Sequence, residues 1–162
     1  MRVGDIYIWH SYPRQKDGEV KDRWFLFLGE VRNDPFDDDP SIYVVSPTAT
    51  ARLEYYEQGG HREKHLYFCF RKNSGFGFEK DCILDVTLPP EHLPKRVFLD
   101  FESKGHIEKK GELPKDILEE IYNKILLSSA YSLIEKENIR RNLNRDLGLT
   151  GLRKPSRRRR KR

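Results

Sequence analysis

Residues able to do chemistry fall into a few groupings in this chain, and most exclude more than they admit. His61, Arg62, Lys64 and His65 form a basic cluster of the kind that can grip RNA phosphates. Asp37, Asp38 and Asp39 invite a metal reading, yet they lack the alternating spacing and distal Glu of a calcium loop. Flanked by prolines, they read as a solvated turn, and no metal is assigned. Cys69 and Cys82 stand thirteen apart in apolar settings, LYFCF and DCIL, without the paired spacings a zinc site needs. They read as reduced, packed thiols. The chain has no GxxxxGK[ST], no GxGxxG after a strand and no HExxH. Nucleotide-driven enzymes and zinc proteases are therefore set aside, and no cofactor is expected.

Charge follows a boundary. The chain has 162 residues with a formal net charge of +5, and residues 153–162, RKPSRRRRKR, hold eight of its 31 basic residues. The remainder carries 23 basic against 26 acidic residues, a formal −3. The positive charge thus belongs to the tail, where Arg157, Arg158, Arg159 and Arg160 attract phosphate backbone without reading sequence. A disordered solubility tail is the competing reading of the same run.

The elements that must position these groups come from apolar patterning. Short β-branched and aromatic runs separated by turn residues predict strands over 3–9, 24–31, 41–47, 65–71 and 81–87, with a further short strand around Phe76–Phe78. Their spacing suggests a small antiparallel barrel. After Pro89-Pro90 the character changes. Ile117, Leu118, Ile121 and Ile125 predict a helix over 114–127, with Pro114 in its first turn. A second amphipathic stretch runs from about Ala130 to Leu147, with Leu133, Ile134, Ile139, Leu143 and Leu147 on one face. The expected fold is α+β and mainly β, divided as 1–128 barrel with following helix, 129–152 additional helix and 153–162 tail. The opening MRVGDIYIW has no signal-peptide core, and no run nears the roughly eighteen apolar residues of a membrane span. A cytoplasmic protein is expected.

Three blocks resemble the MazF/PemK toxin family. Gly4, Asp5, Ile6, Pro13 and Arg23 match the family's first strand and following loop, VVSPT at 44–48 its turn after the third strand, and KGELPKDILEEIYNKI at 110–125 its segment before the terminal helix. Together the blocks span roughly residues 3–127. Trp24 replaces the family's Pro after the loop Arg, and the loop itself reads Lys16-Asp17-Gly18-Glu19. The resemblance implies an SH3-like barrel that cuts single-stranded RNA without a metal, as a homodimer inhibited by a cognate antitoxin. Arg23 then stabilises the phosphorane and Thr48 donates to a phosphate oxygen, with Glu19 as carboxylate partner and Asp17 behind it. His10 is a candidate acid or base, and His61, Arg62 and Lys64 join the tail arginines in holding RNA. The alternative is a barrel without catalysis that binds nucleic acid or protein, or an adaptor whose barrel docks a partner.

Overall fold

The computed structural model describes residues 1–13, 20–31, 40–49 and 52–156. Seven strands and three helices follow in order: β1 (Asp5–Tyr12), β2 (Lys21–Glu30), β3 (Ser41–Val45), β4 (Tyr67–Phe70), β5 (Cys82–Asp85), β6 (Glu91–Pro94), α1 (Lys95–Ser103), β7 (Ile107–Glu112), α2 (Lys115–Leu127) and α3 (Leu133–Leu147). The fold is mixed α+β with every strand pairing antiparallel. Five strands make one sheet in the order β6-β3-β2-β1-β7, and β4 and β5 make a hairpin. Among the described residues the larger sheet is open, with β6 and β7 as its edges, and no closed barrel forms.

β1 and β2 occupy the middle of the sheet because their apolar residues serve both faces. Asp5–Trp9 and Phe25–Gly29 are buried continuously, as expected of strands covered on two sides. One face packs on α1, where Phe98 meets Tyr7 and Trp9 edge-on at 5.1 and 6.0 Å. α3 crosses β2, and Asn142 donates to the Leu28 and Glu30 carbonyls at 3.3 and 3.0 Å. Gly29 makes that approach possible: at φ +108, a Cβ there would stand 2.2 Å from the Asn142 side chain. Ile139, Leu143 and Leu147 of α3 enter the same core as the strands.

The five long apolar runs become β1 to β5 with bounds shifted by a few residues. α2 begins at Lys115 with Pro114 as its N-cap, one residue outside the position expected for it. α3 begins at Leu133 rather than near Ala130, where Ser132 and Glu135 form a reciprocal capping box. Ile134 is 67% exposed and Leu133 38%, so neither belongs to the buried face, which Lys136 and Asn138 join instead. Lys136 reaches the core edge because its ammonium binds the Leu126 and Ser128 carbonyls at the end of α2. Phe76–Phe78 is a turn, not a strand. Its backbone docks on β7, where a Cβ on Gly77 would lie 2.3 Å from the Lys110 carbonyl.

β6, α1 and β7 have no counterpart in the sequence reading. β6 has four residues, and β7 (IEKKGE) is an edge strand with only Ile107 buried. In α1 only Phe98 is buried. Each is too short or too one-sided to display a period.

Candidate functional site

Arg23 stands at the start of β2, directly opposite Trp9 of β1. Between Trp9 and Tyr12 the pairing slips through a bulge at Ser11, whose φ of +54° is the one positive value at a non-glycine residue among those described. The extra residue brings Trp9 and Tyr12, three apart, onto one face with ring centroids 5.0 Å apart. The Arg23 guanidinium lies over the Tyr12 ring at 5.0 Å and the Phe25 ring at 5.4 Å. Its Nε donates to Ser46 Oγ at 3.0 Å, and a terminal nitrogen pairs with Glu91 Oε1. Glu91 also receives the Ser46 and Tyr12 hydroxyls, each at 3.3 Å. The Arg23 and Glu91 side chains remain 33% and 31% exposed, so an anion arriving from solvent can reach both.

This assembly draws on β1, β2, β6 and the segment just after β3. Sequence reasoning found Arg23 and missed the other three members. Ser46 was legible as the neighbour of Thr48 in VVSPT. Glu91 follows two prolines with nothing in its spacing to mark it.

Thr48 lies two residues beyond Ser46 and forms a lone two-bond bridge with Ile83 of β5, both bonds at 2.9 Å. It thereby ties the hairpin to the end of β3. His10 occupies the face opposite Arg23. Its Nδ1 lies 2.9 Å from Asp22, and Nε2 lies 3.7 Å from Glu108. The His10 bond, followed by the Ser11 amide, holds the Asp22 carboxyl below the usual carboxylate range. Glu19, Asp17 and Arg157 to Arg160 lie outside the described residues.

The basic loop cluster divides on folding. Lys64 and His61 are exposed, and His61 packs on the Tyr55 ring at 4.4 Å. Arg62 turns inward, donating to the Tyr56 hydroxyl at 2.7 Å and lying 4.0 Å from Asp85. Asp85 is the hub of a second polar cluster. Its side chain is 4% exposed and takes Tyr56 Oη at 3.2 Å, the Thr87 amide at 3.0 Å, the Thr87 hydroxyl and His65 Nδ1 at 2.7 Å. Burial pushes the Asp85 carboxyl up, but the bonds from Thr87 and His65 outweigh it and the net displacement is downward. An acid inside the apolar run CILDV was the available signal for this hub.

Two cavities adjoin these clusters. One of about 190 Å³ is walled by Trp9 and Tyr12, by Leu93 and Pro94 of β6, and by Val97 and Phe101 of α1. The other, about 390 Å³, lies beside His65, Tyr67 and Cys69, with Glu120 and Lys124 of α2 across from them. Burial raises the Cys69 thiol above its ordinary value, which disfavours the nucleophilic thiolate. Among the described residues no helix is long and apolar enough to cross a membrane. Neither the protein-family models nor the curated proteins contain a match to this chain.

Proposed function

We propose that the protein is a metal-independent endoribonuclease of the MazF/PemK type, cutting single-stranded RNA as the toxin of a toxin–antitoxin pair. The observation that carries the reading is the Arg23–Glu91 pair with Ser46 and Tyr12, open to solvent at the edge of an aromatic wall. RNA cleavage by the ribose itself asks for a carboxylate near the 2′-hydroxyl and a cation at the phosphorane. Arg23 supplies the cation in a planar fork that fits two phosphate oxygens. Glu91 takes the place of carboxylate partner that the sequence suggested for Glu19, and acts as the base. The 2′-oxygen bonds to phosphorus as its proton passes to Glu91, the bond from phosphorus to the 5′-oxygen breaks, and the departing 5′-oxygen takes a proton from water. A 2′,3′-cyclic phosphate remains.

Several features agree with the SH3-like barrel of that family. Short antiparallel strands precede α2, and the Thr48–Ile83 bridge and the Gly77–Lys110 crossing tie the hairpin to both parts of the larger sheet. The reading carries with it a cytoplasmic homodimer held in check by an antitoxin protein. One observation favours a second reading. Arg23 is already engaged by Glu91, as expected of a barrel that binds nucleic acid or protein without cutting it.

The test is incubation of the purified protein with single-stranded RNA in EDTA. Cleavage that leaves a 2′,3′-cyclic phosphate, and that stops when the scissile ribose is 2′-deoxy, supports the nuclease. Binding without any cleavage leaves the binding module in its place.

A further inference from the structure

We infer that the cavity walled by Trp9, Tyr12, Leu93, Pro94, Val97 and Phe101 is a nucleobase subsite, holding the base of one nucleotide that flanks the phosphate at Arg23. The inference rests on the reading of this protein as an RNA-cleaving enzyme and adds to it the place where one base is held.

Position is the first argument. The cavity and the Arg23 cluster share a wall. Tyr12 lines the cavity while its ring carries the Arg23 guanidinium at 5.0 Å. Glu91 and Leu93 lie two apart on β6 and so share a face, the first turned to Arg23 and the second to the cavity. A phosphate that takes the Arg23 fork in exchange for Glu91 therefore has its attached nucleoside beside the cavity mouth.

Chemistry is the second. The seven lining residues, Pro13 included, carry only two polar side-chain atoms, the indole nitrogen of Trp9 and the hydroxyl of Tyr12, and that hydroxyl is given to Glu91. Among the described residues such a lining has nothing to compensate a buried charge, and a phosphate or carboxylate entering it would be desolvated without a partner there. A flat π-system needs no such compensation. Trp9, Tyr12 and Phe101 present it with rings already fixed against one another, Trp9 lying 5.0 Å from Tyr12 and 4.9 Å from Phe101. Bases stacking on rigid aromatic side chains is the usual means by which proteins hold unpaired nucleotides.

Size is the third. At about 190 Å³ the cavity falls below the roughly 300 Å³ at which pockets for whole drug-sized ligands begin, which leaves room for one ring system. The sugar and phosphate remain outside, toward Arg23. Because stacking reads the presence of a base more than its identity, the subsite confers a strong requirement for a base and a weak preference among bases.

The experiment uses short single-stranded RNAs carrying either 2-aminopurine or an abasic ribose at each position around the cleaved bond. In the unmodified protein, 2-aminopurine at one flanking position should be quenched on binding, and an abasic ribose there should weaken binding by about 5- to 100-fold, the loss expected for one stacked base. Val97→Trp, which fills the cavity, and Phe101→Ala, which removes one ring, should each abolish the quench and the penalty for the abasic ribose. Thermal melts identify whichever variant is folded. Quench without cleavage would keep the subsite and overturn the nuclease. Cleavage with no quench at any position, or with the quench intact in a folded Val97→Trp or Phe101→Ala protein, would overturn the subsite and keep the nuclease. Absence of both binding and cleavage overturns both.

Discussion

Glu91 and Asp85 each gather three or more donors, and the two clusters are opposite in character. The Glu91 and Arg23 side chains are about one-third exposed, whereas Asp85 is 4% exposed and surrounded by Tyr56, His65 and Thr87. An ion pair in contact with water contributes little net stability, so its partners can be exchanged cheaply. Arg23 can leave Glu91 for a phosphate on those terms. A buried carboxylate has no water to fall back on, and stripping its donors leaves an unpaired charge in the interior. Asp85 therefore serves to hold the 52–66 segment against β5, with His65 and Tyr56 as the pins. The same residue types thus build a site that can open and a joint that must stay closed. Burial decides between them.

The sharpest way to break this contrast is at Arg23. Arg23→Ala should lower RNA cleavage by about 10²–10³-fold, the usual cost of losing a preorganised transition-state contact. Arg23→Lys should recover part of that, since an ammonium lacks the bidentate fork. Single-turnover rates measure both, and a melting curve within the small range of exposed ion pairs checks that the pair contributes little to folding. Glu91→Gln should cost about 10²-fold in single-turnover rate with the fold retained, because the amide cannot take the proton of the 2′-hydroxyl.

At the other cluster the effect moves from rate to stability. Asp85→Ala should destabilise by about 2–3 kcal/mol, measured by urea unfolding, because Tyr56 and His65 lose a buried charged acceptor. A loss no greater than that of Arg23→Ala would remove the distinction drawn between the clusters.

Acid should act more gently on the same joint. The folded Asp85 carboxyl titrates below its unfolded value, so its contribution is complete above the ordinary carboxylate pKa of about 4 and fades as pH falls through the lower folded value. Glu135, also held down in the fold, adds to this loss. Burial acts against that lowering at Glu135, and the bonds from Ser132 and His92 overcome it. Unfolding midpoints followed from pH 6 to pH 3 should show the acid sensitivity reduced in Asp85→Asn.

The smallest structural effect belongs to the tail. Deleting residues 157–162 removes six basic residues and should flatten the salt dependence of nucleic-acid binding while changing stability by under about 0.5 kcal/mol. A cut at 153 is a different experiment, since the Tyr122 hydroxyl donates to the Arg153 carbonyl at 2.9 Å. Equal binding at every ionic strength would make the tail a bystander.

Legibility in the sequence followed the strength of each local signal. WFLFL, SIYVV and LYFCF carry enough contiguous apolar surface to be strands wherever they pair, and Leu118, Ile121 and Ile125 repeat at a period only a helix satisfies. The edge strands β6 and β7 and the short α1 bury one residue each, so no period was there to read. Arg23 could be singled out because it matches the loop-end Arg of the family that the sequence resembles. Its partner could not, because Glu91 lies 68 residues away and meets it only through the order β6-β3-β2.

What the chain determined by itself, then, is which segments are apolar, with what period, and that its positive charge sits at the C-terminal end. Those properties belong to neighbouring residues and are present before anything folds. The tertiary structure decided that Ser46 rather than a loop carboxylate meets Arg23 Nε, that a bulge at Ser11 turns Tyr12 beneath the guanidinium, and that Asp85 is buried while Glu91 is not. Each depends on strand order and on which face of the sheet α1 and α3 cover. Side-chain period specifies that a face is buried, and only the packed sheet specifies what lies across from it.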